Sequence, residues 1–400
     1  MSLRPLHYGR QQVDEDDVRA VVDVLRGDWL TQGPAVARFE DAIRAATGAA
    51  HAVAVANGTA ALHLAVLAAG ARPGDIALVP TMTFVATANA VRYAGARPAL
   101  VDVDPGTGLV DAKDLQRAAD THRGHVRAIL PVDFAGTPAD LPAVQALAAH
   151  AGALVIEDAA HSLGATYTVD GATHRAGGCD HADMAILSFH PVKHVTTGEG
   201  GAVTTNDAAL AQRLRDLRTH GVVRDPARLR HPHEGPWWYE QQSLGYNYRV
   251  SDIQCALGAS QLTRLERFVA RRRQIAARYA EALADHAGIV VLRERPHARS
   301  SYHLQVVRLR PRAGEGNEGV AARRLALFHR LRAAEIHPQV HYIPVHRHPD
   351  FIDAGLAEGG FPGADALYAG CLSLPMHPGL SDDDVERVID ALLAAPEVAA

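Results

Sequence analysis

Two residues of this chain combine the type and the setting that covalent chemistry needs: Lys193 and Asp158. The chain holds only two lysines, Lys113 and Lys193, among its 40 Lys and Arg residues. A sequence that takes its positive charge from Arg keeps a lysine where guanidinium cannot replace it. The main such case is an amine that sheds its proton and forms a Schiff base. Lys113, in DAKDLQ, reads as a solvated surface residue, whereas Lys193 lies in the apolar, Gly-rich run SFHPVKHVTTGEGG. Asp158 closes the apolar run ALVIED, and a second apolar run, residues 184–187, ends at Ser188-Phe189-His190 shortly before Lys193. Two buried-type strands ending in polar groups suggest a parallel sheet, which takes its ligands at the carboxyl ends of its strands. His161, three residues after Asp158, is placed to orient that carboxylate or to pack near what it holds; a satisfied core histidine is the plainer reading.

The rest of the chain supplies the elements that must position this pair. HAVAVANGTAALHLAVLAAG reads as strand, turn and helix, with Gly58, Thr59 and Ala60 at the helix start. Free N–H groups and the helix dipole at such a start can hold an anion. DIALVPTMTFVATANAV repeats the pattern, its strand ending at Pro80 with Phe84 just beyond; ARPALVDVD and VRAILPVDFAG are two further strand-like runs. This alternation through Asp207 predicts an α/β fold with a mostly parallel sheet covered on both faces. Residues 1–12 read as an extended N-terminal arm, 13–260 as a large domain and 261–400 as a smaller α/β C-terminal domain. Helices are expected over residues 13–26, where Val18, Val21, Val22 and Leu25 keep helical spacing, and over 36–46, 262–284 and 320–334.

Two stretches resist a simple reading. The long polar segment after Gly221 carries Trp237, Trp238 and Tyr239, whose rings suit either stacking on a base or sugar or anchoring the loop. His341, His346 and His348 crowd another segment, yet its prolines and the lack of HExxH-type order argue against a metal, and none is expected.

With 400 residues, 48% of them hydrophobic, and a mean hydropathy of −0.07, the chain can bury a substantial core in two or three units. A formal charge of −5 gives no electrostatic case for nucleic acid or an anionic membrane. Cys179, Cys255 and Cys371 stand apart, without CxxC or metal spacing, which suits a reducing compartment. MSLRPLHYGRQ lacks the apolar core of a signal peptide, so a cytoplasmic location without membrane attachment is expected.

A Schiff-base lysine with a carboxylate at a neighbouring strand end suggests pyridoxal 5′-phosphate. That coenzyme needs an amine for its aldehyde and a carboxylate to keep its ring nitrogen protonated. IEDAAHS, SFHPVK and TTGEGGAV resemble the signature of the DegT/DnrJ/EryC1/StrS family of pyridoxal-phosphate-dependent sugar aminotransferases, most of all its pseudaminic-acid branch. The resemblance runs from about Arg10 to the last helix, with several motifs in order; Asp133 stands where many relatives carry His.

The resemblance implies a fold-type I aminotransferase with the coenzyme bound covalently to Lys193 and pyridoxamine phosphate as the form between half-reactions. It implies that Gly58, Thr59, Ala60 and Ser188 hold the coenzyme phosphate and that Phe84 stacks on its ring. It makes Asn247 and Arg249, in GYNYR, candidates to reach the phosphate of a neighbouring subunit, hence a homodimer with shared sites. Thr31 and Gln32 in GWLTQGP-type loops, and His341 and Tyr342 in QVHYIPVH, would lie near the substrate. The activity implied is transfer of an amino group from L-glutamate to C4 of a UDP-linked 4-keto-6-deoxy-N-acetylhexosamine. Another TDP- or GDP-linked 3- or 4-keto sugar is the nearest alternative. Dehydrating relatives carry His at the Schiff-base position, so Lys193 argues for transfer; a catalytically silent regulatory homologue is a more distant alternative.

Overall fold

A computed structural model describes residues 4–231 and 234–399, so the first three residues of the expected arm lie outside the described residues. Its centre is a seven-stranded sheet. In spatial order the strands are His51–Val55, Gly201–Thr205, Met184–Ser188, Leu154–Asp158, Val126–Ile129, Ile76–Pro80 and Arg97–Val101. Gly201–Thr205 runs antiparallel to both its neighbours, and the remaining pairings are parallel. The mostly parallel sheet expected from the alternation is therefore present. The central strands are short and almost wholly buried, as a sheet covered on both faces requires.

The helix Gly58–Ala68 is apolar around its whole circumference, with its residues from Ala60 to Val66 all buried. Such a helix belongs between layers rather than on a surface. The helix Glu15–Arg26 starts at a capping box in which Asp14 accepts from Asp17 N and Asp17 reaches back to Asp14 N. Asp17 is fully buried and also takes the Ser260 hydroxyl at 2.7 Å and the Arg264 guanidinium. The helix expected over 262–284 is present as Leu265–Leu283, and a separate helix, Asp252–Leu262, precedes it; Arg264, at the turn between the two, meets Asp14 and Asp17.

A three-stranded antiparallel sheet, Ile289–Val291, Gln305–Leu309 and Cys371–Leu374, packs with helices Leu265–Leu283, Asn317–Ala333 and Asp382–Leu393 around a second core. The N-terminal segment joins this part of the molecule: Leu6–His7 pairs in parallel with Ile336–His337. Ala298–Arg299 in turn joins the hairpin formed by Thr166–Val169 and Ala172–Arg175. No helix among the described residues is long and apolar enough to cross a membrane.

Candidate active site

The carboxyl ends of the central strands open into a cavity of about 480 Å³ that gathers Lys193, Asp158, His161, Ser188, Gly58, Thr59, Phe84, His341 and Tyr342. Register accounts for much of this. Asp158 faces Ile186 across a parallel pair, and Ser188 lies two residues further on the same face. Ser188 is opposite Gly201, which is opposite Val55, two residues before the helix start at Asn57.

Glycine makes the close approach possible. A Cβ on Gly201 would lie 2.5 Å from the Asn57 carbonyl, and one on Gly58 would lie 3.1 Å from Ser188 Cβ. At the helix start, Asn57 Oδ1 accepts the Ala60 N–H at 2.8 Å, and Asn57 O accepts the Ala61 N–H. Ala60 therefore belongs to the cap rather than offering a free donor. Gly58 and Thr59 supply the first-turn N–H groups that lie outside the helix ladder. Beside Ser188 these are donors of the kind that can hold an anion.

Asp158 is buried. Thr87 Oγ1 donates to its Oδ2 at 2.8 Å, and the Ala160 N–H donates to Oδ1 at 3.3 Å. Burial pushes its carboxyl pKa up, while these two donors and Lys193 pull it down. Burial acts on Lys193 in the other sense, lowering its pKa to about 8 against the opposing charge of Asp158. The lysine thus titrates close to neutral pH, where an amine can serve both as nucleophile and as proton carrier.

A polar but uncharged wall completes the cavity. His161 Nε2 lies 3.0 Å from the Tyr342 hydroxyl, and His341 Nδ1 lies 2.9 Å from Ser373 Oγ. Burial drives His161 well below the usual imidazole range, with the Lys193 charge adding to the effect, and lowers His341 to about 3. Phe84, 56% exposed, sits at the rim, its ring 5.9 Å from that of Tyr342.

Other expected site residues lie elsewhere in the chain. Gln32 and Arg249 meet in a separate cavity of about 290 Å³, beside Glu40 and Arg218. Thr31 bridges to Ser251 and Asn247 to Thr219. Trp237 and Tyr239 are 69% and 53% exposed, and neither they nor Trp238 line the Lys193 cavity. His346 bonds Thr81 and Asp365, at 2.8 and 3.2 Å, rather than turning toward His341.

Thr87, Tyr8 and His303 were not anticipated. Thr87 had a local signal, as a polar residue in the first turn after a strand end. Tyr8 and His303 had none, because distant segments bring them to the cavity.

Fold and cavity together are those of a pyridoxal-phosphate-dependent sugar aminotransferase of fold type I. The chain belongs to the DegT/DnrJ/EryC1/StrS aminotransferase family, whose model matches residues 11–393. It is 38% identical over 389 residues to the Bacillus subtilis spore coat polysaccharide biosynthesis protein SpsC, covering 97% of this chain and 96% of that protein. Helicobacter pylori PseC, an aminotransferase involved in the biosynthesis of pseudoaminic acid, matches with a TM-score of 0.86 and 27% identity over 98% of this chain and 99% of its own. The PLP form of a sugar aminotransferase, Spr1654 of Streptococcus pneumoniae, matches with a TM-score of 0.87 and 27% identity over 99% and 100%.

Proposed function

We propose that this enzyme moves an amino group from L-glutamate to C4 of a nucleotide-linked 4-keto-6-deoxy sugar, UDP-4-keto-6-deoxy-N-acetylhexosamine, giving the 4-amino sugar. The observation that carries the transfer reading is the single cavity joining Lys193, Asp158 and the open helix start at Gly58 and Thr59. The choice of sugar is supported by the likeness to PseC along nearly the whole chain and by the run SFHPVK.

When bound, pyridoxal phosphate supplies an aldehyde for an amine and a ring that withdraws electrons from the reacting carbon. Gly58, Thr59 and Ser188 would hold its phosphate, Asp158 its ring nitrogen, Phe84 its ring and Lys193 its aldehyde. Lys193 Nζ, once released by the incoming donor, takes the proton from the glutamate Cα. In the second half-reaction the same amine delivers a proton to C4 of the sugar, so one group serves both directions. Asp158, held by Thr87 and Ala160, keeps a negative charge where the ring nitrogen needs one.

Asn247 and Arg249 lie outside the cavity of their own chain and are proposed to serve that of a second copy in a homodimer, with Thr31, Gln32 and the 237–239 aromatics on the nucleotide side. The division into an arm (1–12), a large unit (13–260) and a smaller unit (261–400) is supported by the seven-stranded sheet within residues 51–205 and the separate antiparallel sheet of Ile289–Val291, Gln305–Leu309 and Cys371–Leu374. A cytoplasmic enzyme without nucleic-acid or membrane partners is consistent with the charge of −5 and the three free cysteines.

The test is a panel of UDP-, TDP- and GDP-linked 3- and 4-keto sugars with L-glutamate, followed by mass spectrometry of the products. A 4-amino UDP sugar as the best product supports the proposal, and preference for another nucleotide or for C3 replaces it. Bound coenzyme with no turnover on any member would favour the silent homologue.

A further inference from the structure

Residues 300–304 reach the cavity from the C-terminal part of the chain, and their backbone is fastened on several sides. The Ser301 N–H donates to Gly136 O at 3.0 Å and the Leu304 N–H to Ala135 O at 3.2 Å. Ser301 Oγ donates to His161 O at 3.2 Å, and His194 Nε2, next in sequence to Lys193, bonds Ser301 O at 3.1 Å. Gly136 makes the approach possible: its φ is +105°, and a Cβ there would lie 2.8 Å from the backbone nitrogens of Tyr302 and His303.

Arg272 adds the firmest fastening. It is fully buried, and its Nη1 donates to the carbonyls of Tyr302, His303 and Met376 at 3.2, 3.2 and 2.9 Å. Among the described residues it forms no ion pair, and burial lowers its pKa to about 10. A guanidinium buried without a carboxylate is costly, so its retention calls for a compensating role. The role visible here is to gather three carbonyls at one point.

What this fastening places is His303. Its side chain is buried and lines the cavity, and its ring centroid lies 4.3 Å from that of His161. The His161 ring has one hydrogen bond, from Nε2 to the Tyr342 hydroxyl; Nδ1 of His161 and Nδ1 of His303 are both buried without a partner among the described residues. One bond does not by itself fix a ring's plane and position; of the rings beside His161, His303 is nearest, tilted 45° at 4.3 Å, with Tyr342 and Phe134 further off at 6.0 and 6.4 Å. Burial keeps His161, His194 and His303 well below the usual imidazole range, so this wall adds no positive charge beside Lys193.

We propose that His303 is a positioning residue: its ring, fastened through Arg272 and Ser301, sets the plane of His161 so that Nε2 meets the Tyr342 hydroxyl on the cavity wall. The inference rests on reading this cavity as the active site, but its structural half can be measured without turnover.

The experiment compares His303→Ala with His303→Phe in the full-length protein. Phe keeps a ring and discards both nitrogens. Crystal structures of the cofactor-free variants are expected to show the His161–Tyr342 contact opened beyond about 3.5 Å in His303→Ala and retained in His303→Phe. In the holoenzyme, His303→Ala should lower kcat for the L-glutamate half-reaction roughly tenfold with KM changed less than about twofold, and His303→Phe should stay within about threefold of wild type. An intact contact in His303→Ala overturns the proposal. So does a His303→Phe variant as impaired as His303→Ala, which would make the nitrogens the working part. Should His303→Ala fail to fold, His303→Gln, which has no ring, is read by the same criteria. A wild-type enzyme that accepts no proposed sugar would sink the substrate reading and leave the crystallographic result standing.

Discussion

Thr87 Oγ1 gives its proton to Asp158 Oδ2 at 2.8 Å and in turn receives one from Thr83 Oγ1 at 2.8 Å. The Thr87 bond favours the charged form of a buried carboxylate, against the desolvation that favours the acid. A hydrogen bond to a charged group contributes about 1.5–3 kcal/mol. Thr87→Val should therefore raise the Asp158 pKa and slow the L-glutamate half-reaction roughly tenfold or more. In the proposed mechanism Asp158 acts as the carboxylate, so the acid limb of the pH–rate profile should move to higher pH. A limb that stays in place would show that Thr87 does not control this carboxylate.

The scarcity of lysine makes a direct titration practical. In the cofactor-free protein, acylation of Lys193 read by mass spectrometry should rise to half its maximum near pH 8, following its pKa of about 8. Asp158→Asn removes the charge that holds this value up, so the midpoint should fall. Lys193→Ala should abolish amino transfer while leaving the melting temperature nearly unchanged. Full activity in that variant would overturn the mechanism.

Gly201 tests the anion cradle without touching a charged residue. Its added Cβ would lie within 2.5 Å of the Asn57 carbonyl and 2.8 Å of Gly58 N, which are backbone atoms with little room to yield. Gly201→Ala should displace the helix start and weaken coenzyme retention, measured by dialysis, by roughly tenfold or more, within the 1–3 kcal/mol that overpacking typically costs. Retention equal to wild type would place the phosphate elsewhere.

Behind Asp158 lies a second acidic pair, Asp133 and Glu157, both fully buried. Asp133 accepts from Ser162 Oγ at 2.6 Å and from the Ala139 N–H at 2.8 Å. Burial pushes Asp133 up to about 6 and Glu157 well above the usual carboxylate range; the Asp133 charge raises Glu157 further, whereas hydrogen bonding with Glu157 pulls Asp133 down. At these two groups the folded state binds more protons than the unfolded chain, and the Asp133 contribution to stability is lost as pH rises from 3.8 through about 6. Asp133→Asn should flatten that fall. Relative to wild type, its unfolding free energy should gain about 2 kcal/mol between about pH 4 and pH 7, measured by denaturant titration. An unchanged slope would mean that Asp133 does not carry the proton uptake.

Much of the site was legible because its parts announce themselves locally. Lys193 stood out against an arginine background, Asp158 ended an apolar run, and Gly58-Thr59 opened a helix after a strand. Each rests on a rule that operates within a few residues. The contact of Arg264 with Asp14 and Asp17, some 250 residues earlier in the chain, was not legible, since it joins segments distant in sequence. Tyr8 and His303 escaped for the same reason: each reaches the cavity through partners distant in sequence. Arg272 sits among three consecutive arginines in the run ARRRQ, and only packing distinguishes it from its neighbours.

The pairing of Leu6–His7 with Ile336–His337 has a consequence for the birth of the molecule on the ribosome. The residues that finish the cavity flank the sheet in the chain: Tyr8 is made before residues 51–205, and His303, His341 and Tyr342 after them. The seven-stranded sheet can assemble from residues 51–205, yet the opening segment has no strand to join until residue 336 has been made. All seven strands are thus made before every wall of the cavity is, and closing it is a long-range event of the kind that slows folding.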